Sequence, residues 1–241
     1  MPTTRLTLEY DGTGFAGWAA QPGLRTVEAE LRAALDRVFP RWGGLAVAGR
    51  TDAGVHALGQ VASLTVEGGP PPERTGAALN SVLPEDVAVV AAAHAPEGFH
   101  ARFAARARSY RYRIWRRSTA SPFELRRALW HPRRLDVDRL RESAALLEGE
   151  HDFRAFTPSD TEHDVFVRVV ETADWQESGE VVTFAITADS FLRHMVRTLV
   201  GTMLELPPER VGGLLDGGRR EDAGSTAPPW GLYLHSVRYD D

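Results

Sequence analysis

The sequence predicts an α+β protein of two similar halves, each built on an antiparallel sheet. Three observations carry that expectation. A length of 241 residues suits one large or two modest domains, with two preferred. Segments of two-residue alternation are interleaved with segments of helical spacing. The same order of elements then recurs in the second half, although no repeat is visible letter by letter.

"RLTLEY" opens the first half as a strand with Leu6, Leu8 and Tyr10 on one face. "TVEAELRAALDRVF" reads as a helix. Thr26 can cap it, Glu28 and Glu30 favour its first turn, and Val27, Leu31, Leu35 and Val38 form its apolar stripe. Short strands follow at "LAVAG" and "QVASLTV", then a brief helix near "PERTGAALNSVL" and the apolar run "VAVVAAAHA". The boundary falls between Ala104 and Ala107, giving domains 1–105 and 106–241. In the second half "SYRYRIW" reads as a strand, and "VDRLRESAALLEG" as a helix with Val137, Leu140, Ala144 and Leu147 inward. "FVRVVETADW" and "EVVTFAITA" form a hairpin around Ser178-Gly179. "FLRHMVRTLVGTML" is a helix with an apolar stripe of Leu192, Met195, Val196, Leu199, Val200 and Met203, with Arg193 and Arg197 four apart on another face. "GLYLHSVRY" is the last strand.

Composition excludes several chemistries. No cysteine is present, which removes disulfides, thiol nucleophiles and thiolate metal sites. All 28 basic residues are arginine, so Schiff-base catalysis and a phosphate-loop lysine are absent too. No apolar run approaches the roughly 20 residues that span a bilayer, and "MPTTRLTLEYDG" lacks the pattern of a signal peptide, so a cytoplasmic location is expected. The net charge of −5 conceals an asymmetry: from His100 to Arg134 eleven arginines face one acid, Glu124, which makes that window +10 and the remainder −15. Tyr110, Tyr112 and Trp115 are interleaved with those arginines, as RNA binding requires; a solvated basic strand is the alternative.

"VAGRTDAGVHALGQVASL", Val47 to Leu64, holds the candidate chemistry. Arg50 precedes Asp52 by two residues, and a guanidinium there would keep the carboxylate ionised, fit for a nucleophile or an electrostatic stabiliser. A structural Arg–Asp pair capping a turn is the other reading. His56 lies four residues beyond Asp52, but nothing nearby completes a metal set. No G-x-S-x-G elbow exists, and His94 and His100 read as hydrogen-bonding or surface groups. Arg197 falls on an otherwise apolar helix, where a buried cation would need a carboxylate such as Asp52; a helix-end arginine reaching solvent is the alternative.

Five blocks in order, "EYDGTGFAGWAAQP", "AGRTDAGVHALGQV", "FHARFAARARSYRYRI", "FLRHMVRTLVGTMLE" and "AGSTAPPWGLYLHSVRY", resemble the tRNA pseudouridine synthase A family from about Leu6 to Tyr239. The resemblance implies an isomerase that turns uridine into pseudouridine at positions 38 to 40 of the tRNA anticodon stem-loop, without metal or organic cofactor. It implies a homodimer of two-domain subunits, with the sheets joined into one extended sheet, helices mostly on one face and the active-site cleft between domains. Asp52 matches the family's catalytic nucleophile, Tyr110 the tyrosine that lies against the target base, and Arg197 the arginine that pairs with the aspartate. Arg50 matches a residue implicated in acting on the nucleotide and opening the RNA. Arg102, Arg106, Arg108, Arg111 and Arg113 are then expected to include RNA-backbone contacts. Two departures stand out: Arg193 occupies a position often held by a second histidine, and "PSDTEHDVFVRVV" lacks an arginine-threonine pair expected before Arg168. The rival functions are a non-catalytic RNA-binding module and a metal-dependent hydrolase using Asp52 and His56.

Overall fold

A computed structural model describes residues 2–161 and 164–240. In chain order its principal elements are β1 (Thr3–Tyr10), α1 (Val27–Val38), β2 (Arg41–Val47), β3 (His56–Glu67), α2 (Pro72–Asn80), β4 (Val87–His94), β5 (Ala105–Trp115), β6 (Leu129–Trp130), α3 (Val137–Ala145), β7 (Gly149–Asp152), β8 (Val167–Ser178), β9 (Val181–Ala188), α4 (Met195–Glu205), α5 (Pro208–Gly213) and β10 (Leu232–Tyr239). The chain divides into two compact units, one running through Arg106 and regaining the segment from Tyr233 onward, the other Ala107–Leu232.

In the first unit β1 lies between β3 and β4, antiparallel to both, with Leu6 opposite Ala62 on one side and Ala92 on the other. Strand parity puts Thr4, Leu6, Leu8 and Tyr10 on one buried face. α2 packs on β4, and α1 meets α2 and β2. Thr26 caps α1 as expected, its Oγ1 accepting the Ala29 N–H at 3.3 Å, and Val27, Leu31, Ala34 and Leu35 are buried. The other edge of β3 is shared. β2 pairs antiparallel along its second half, and β10 pairs in parallel at its start, Tyr233 opposite His56. A small core of Ala48, Val61 and Ala101 is covered by Phe99, Val237 and Tyr239, and the Tyr239 hydroxyl donates to the Ala101 carbonyl at 2.8 Å. β3 begins four residues before "QVASLTV", so His56 sits on a strand.

In the second unit β9 lies between β5 and β8, antiparallel to both, β7 extends the sheet beyond β8, and β6 adds a short parallel rung to β5. The β8–β9 hairpin turns through Gly179-Glu180, with Gly179 at φ +59°. Tyr112, Ile114, Val182, Phe184, Ile186 and Trp175 share the buried face, and the Trp175 Nε1–H points at Met203 Sδ of α4 at 3.5 Å. α3 packs on β8 and touches α4 and α5, burying the four inward positions expected of it. α4 starts later than its apolar stripe implies. His194 has φ +62°, which a continuing helix cannot accommodate, so Arg193 lies ahead of the helix. β6, β7 and α5 are too short to leave a periodic signal.

Two consequences are measurable. Gly201 of α4 faces the Ser225 carbonyl so closely that an added Cβ would lie 1.8 Å from that oxygen. Helix propensity alone favours alanine there by about 1 kcal/mol, but the collision is with backbone, so Gly201→Ala is expected to cost about 3 kcal/mol and lower Tm by about 5–10 °C in a calorimetric scan. Burial pushes the Tyr10 phenol up to about 12, its hydrogen bonds to Thr51 and Gln60 opposing only in part. Burial raises Tyr112 likewise, against the opposing charge of Arg197. A raised folded-state value means stability that is complete below pH 10 and is lost as pH climbs through the folded values. Unfolding followed against pH should therefore steepen above about pH 10, and Tyr10→Phe should flatten part of that slope.

Candidate active site

Asp52 lies half-buried in the loop between β2 and β3, and the loop backbone is held on both sides. Before Asp52, the Thr51 and Tyr10 hydroxyls are 2.7 Å apart, and the Thr51 carbonyl accepts the Trp18 N–H at 3.0 Å. Gln60 Nε2 reaches the Tyr10 hydroxyl at 3.3 Å and the Gly49 carbonyl at 2.6 Å. After Asp52, the Val55 N–H returns to the Asp52 carbonyl at 3.1 Å and the Gly54 N–H donates to the Phe15 carbonyl at 3.2 Å. Apart from Val55 of the loop itself, the partners come from the "EYDGTGFAGW" block or from β3. Gly17, at φ +99°, lies against the Thr51 carbonyl, where a Cβ would stand 2.9 Å from the oxygen. Thr51, Tyr10 and Gln60 are buried, whereas Arg50 is exposed on the same loop.

The second unit carries Tyr110 and Arg197. Tyr110, 8% exposed, meets Phe191 edge-on with ring centroids 5.0 Å apart. Phe191 lies in the loop that leads into α4. Arg108 lies two residues before Tyr110 and shares its inward parity; it is buried and donates from Nη1 to the Asp189 carbonyl at 2.8 Å. Arg197 occupies the first turn of α4 and is half-buried. Its Nε donates to the Ala227 carbonyl at 2.8 Å while the Ala227 N–H donates to the Arg197 carbonyl at 3.0 Å. Backbone and side chain are thus locked to the same residue. Tyr112 donates to the Pro228 carbonyl at 2.9 Å, and its phenol feels the Arg197 charge. Arg193 pairs with Asp160, while its own carbonyl accepts the Thr157 hydroxyl at 3.0 Å. Glu162 and His163 of "PSDTEHDVFVRVV" lie outside the described residues.

The basic window splits by parity and by pairing. Arg111 and Arg113 point away from the buried face of β5; Arg111 is exposed, and Arg113 is bound to Glu124 at 3.1 Å. Arg106 pairs with Asp240 at 2.6 Å in full view of solvent. Arg102 is exposed and lies over the Phe103 ring at 5.7 Å. Among the described residues no cluster of three or more histidines, aspartates or glutamates is placed to hold a metal ion. The residues that sequence reasoning passed over are the supports: Tyr10, Gly12, Gly17, Thr51, Gln60, Phe191 and Ala227. Tyr10, Gly12, Gly17 and Ala227 lie in "EYDGTGFAGW" and "AGSTAPPW", Thr51 and Gln60 flank Asp52 in "VAGRTDAGVHALGQVASL", and Phe191 opens "FLRHMVRTLVGTML".

The sequence profile of the tRNA pseudouridine synthase family matches residues 7–104 and 143–240. Curated relatives cover nearly the whole chain. A tRNA pseudouridine synthase A of Moorella thermoacetica is 43% identical over 247 residues, spanning 99% of this chain and 100% of its own length. The protein of that name from Bacillus subtilis is 41% identical over 98% of this chain and 99% of its own, and that of Myxococcus xanthus 41% identical over 100% and 93%. With both units matched by the profile and the relatives aligned end to end, the chain belongs to the tRNA pseudouridine synthase family, whose members isomerise uridine to pseudouridine in tRNA.

Proposed function

We propose that this protein converts uridines at positions 38 to 40 of the tRNA anticodon stem-loop, with Asp52 as nucleophile on a base flipped out of its stack. The observation that carries the reading is the setting of Asp52: a half-buried carboxylate on a backbone fixed from both sides, two residues from an exposed arginine, in a member of this family. In the reaction the N1–C1′ bond breaks, the uracil turns, and C5 joins C1′. The C5 proton departs and N1 gains one, so composition is unchanged and no redox or group-transfer partner is needed. Departing uracil is a delocalised anion, so one carboxylate suffices where glycoside hydrolysis uses an acid as well. Attack at C1′, addition at C6 and removal of the C2′ proton all start from ionised Asp52.

Arg197 is assigned to pair with Asp52 and hold its geometry, Tyr110 to lie against the target base, and Arg50 to occupy the space the base vacates. Arg102, Arg106, Arg111 and Arg113 are assigned to phosphates, with Arg108 acting through the Asp189 loop. A homodimer working in the cytoplasm, without metal or cofactor, completes the proposal.

Asp52→Asn should lower release of the C5 hydrogen from labelled tRNA by more than about 10³-fold while leaving tRNA affinity within about threefold. Turnover retained in that variant removes Asp52 from the chemistry. Arg111→Gln should weaken binding evenly across tRNAs and reduce the slope of log affinity against log salt by about 1, as one lost phosphate contact does. Arg113→Gln should do less, because Glu124 already engages that side chain. A flat salt response in the wild-type protein would overturn the placement.

A further inference from the structure

The loop that carries Asp52 is reached by a side chain to which the reaction assigns nothing. His56, the first residue of β3, is 2% exposed, and its ring stacks on Tyr233 of β10 with centroids 4.6 Å apart. Its Nδ1 accepts the Gly12 N–H at 3.0 Å and lies 3.2 Å from Asp11 Oδ1, which itself accepts the Thr13 N–H at 3.0 Å. Gly12 in turn presses on the Asp52 loop: a Cβ there would fall 2.0 Å from the Val55 carbonyl oxygen, a distance only a bare α-carbon allows. Val55 closes the turn back onto Asp52 through its N–H. The contacts run in one line, from the His56 imidazole through the Gly12 turn and Val55 to the backbone of Asp52.

We propose that His56 is a positioning residue for pseudouridine formation, acting as a hydrogen-bond acceptor at Nδ1 that seats the Gly12 turn beneath Val55 and so aims Asp52. The assignment rests on the reading of Asp52 as nucleophile. An acceptor at Nδ1 places the neutral ring's proton on Nε2, and no proton transfer to substrate is asked of it. The chemistry separates this role from a titrating one. Asparagine places Oδ1 the same number of bonds from the backbone as histidine Nδ1, so it restores the acceptor without a titratable ring. Glutamine places its oxygen one bond too far.

The test compares His56→Ala, His56→Gln and His56→Asn with the wild type, by steady-state release of the C5 hydrogen and by tRNA binding. Misplacing a reacting group by about 1 Å costs on the order of 10²-fold. His56→Ala and His56→Gln should therefore lose about 30- to 100-fold in kcat with KM within about threefold, and His56→Asn should recover most of that loss. Equal activity in all three, or no recovery with asparagine, overturns the proposal. Should the variants fail to fold, the imidazole nitrogen shifts of the wild-type protein decide it: the Nε2–H tautomer with a protected Gly12 amide supports the role, and either the Nδ1–H tautomer or a doubly protonated ring, whose Nδ1–H would turn to Asp11 Oδ1, overturns it. That spectroscopic readout needs no substrate, so it fails or succeeds apart from the reading of Asp52.

Discussion

The buried contact between the Tyr10 and Thr51 hydroxyls is the interaction on which the placement of the Asp52 loop depends. It follows from strand parity. The alternation that buries Leu6 and Leu8 carries the next inward position, Tyr10, to the end of β1, and its polar tip meets the residue before Asp52. Gln60, buried on the neighbouring strand, binds Tyr10 and the Gly49 carbonyl, so the loop cannot drift from the sheet without leaving several buried polar groups unpaired. A single such bond is worth about 1 kcal/mol net, but an orphaned buried partner costs about 1–3 kcal/mol. The network therefore resists distortion more strongly than its individual bonds suggest, which is the support that the role proposed for Asp52 requires.

The second unit solves the same problem with a different device. Arg197 is fixed through reciprocal bonds with Ala227, and the segment bearing Ala227 lies so close to α4 that no Cβ fits at the two glycines of the crossing. Gly201 abuts the Ser225 carbonyl, and a Cβ on Gly224 would stand 2.7 Å from the Thr202 α-carbon. The Thr202 hydroxyl accepts the Gly224 N–H at 3.0 Å. Helix and segment thus form one body, entered through His194 in a left-handed conformation that non-glycine residues adopt only when their surroundings hold them there. In both units a close backbone approach at glycine accompanies the hydrogen bonds, at Gly12 and Gly17 beside the Asp52 loop and at Gly201 and Gly224 beside the Ala227 segment.

Much of this was legible in the letters. The alternation of "RLTLEY", the Thr26 cap and the inward stripe of α3 are local properties, and local physics decided them. The same period of two in "RARSYRYRIW" already assigns Arg108 to the face of Tyr110 and Tyr112, although the count of arginines drew attention to charge alone. What the sequence could not disclose was contact at long range. His56 looked like half of an incomplete metal pair because its partners, Gly12 and Tyr233, lie 44 and 177 positions away in the chain. The start of α4 was misplaced for a related reason, since the apolar stripe continues through Leu192 while the backbone at His194 turns aside.

Charge distribution bears on how a protein of net −5 can hold a polyanion. The +10 window overstates the free positive field, because Arg106, Arg113 and Arg116 already face Asp240, Glu124 and Glu177. These pairs are partly or largely exposed, and exposed ion pairs contribute only about 0–1 kcal/mol. They hold guanidinium groups in place without committing them, so a phosphate carrying a full charge can displace the carboxylate at little cost. Arginine suits that exchange better than lysine: its planar fork meets carboxylate and phosphate with the same geometry and is less strongly hydrated. On the proposed phosphate contacts, a chain whose cations are all arginine keeps those side chains ordered on its own acids until a phosphate replaces the carboxylate.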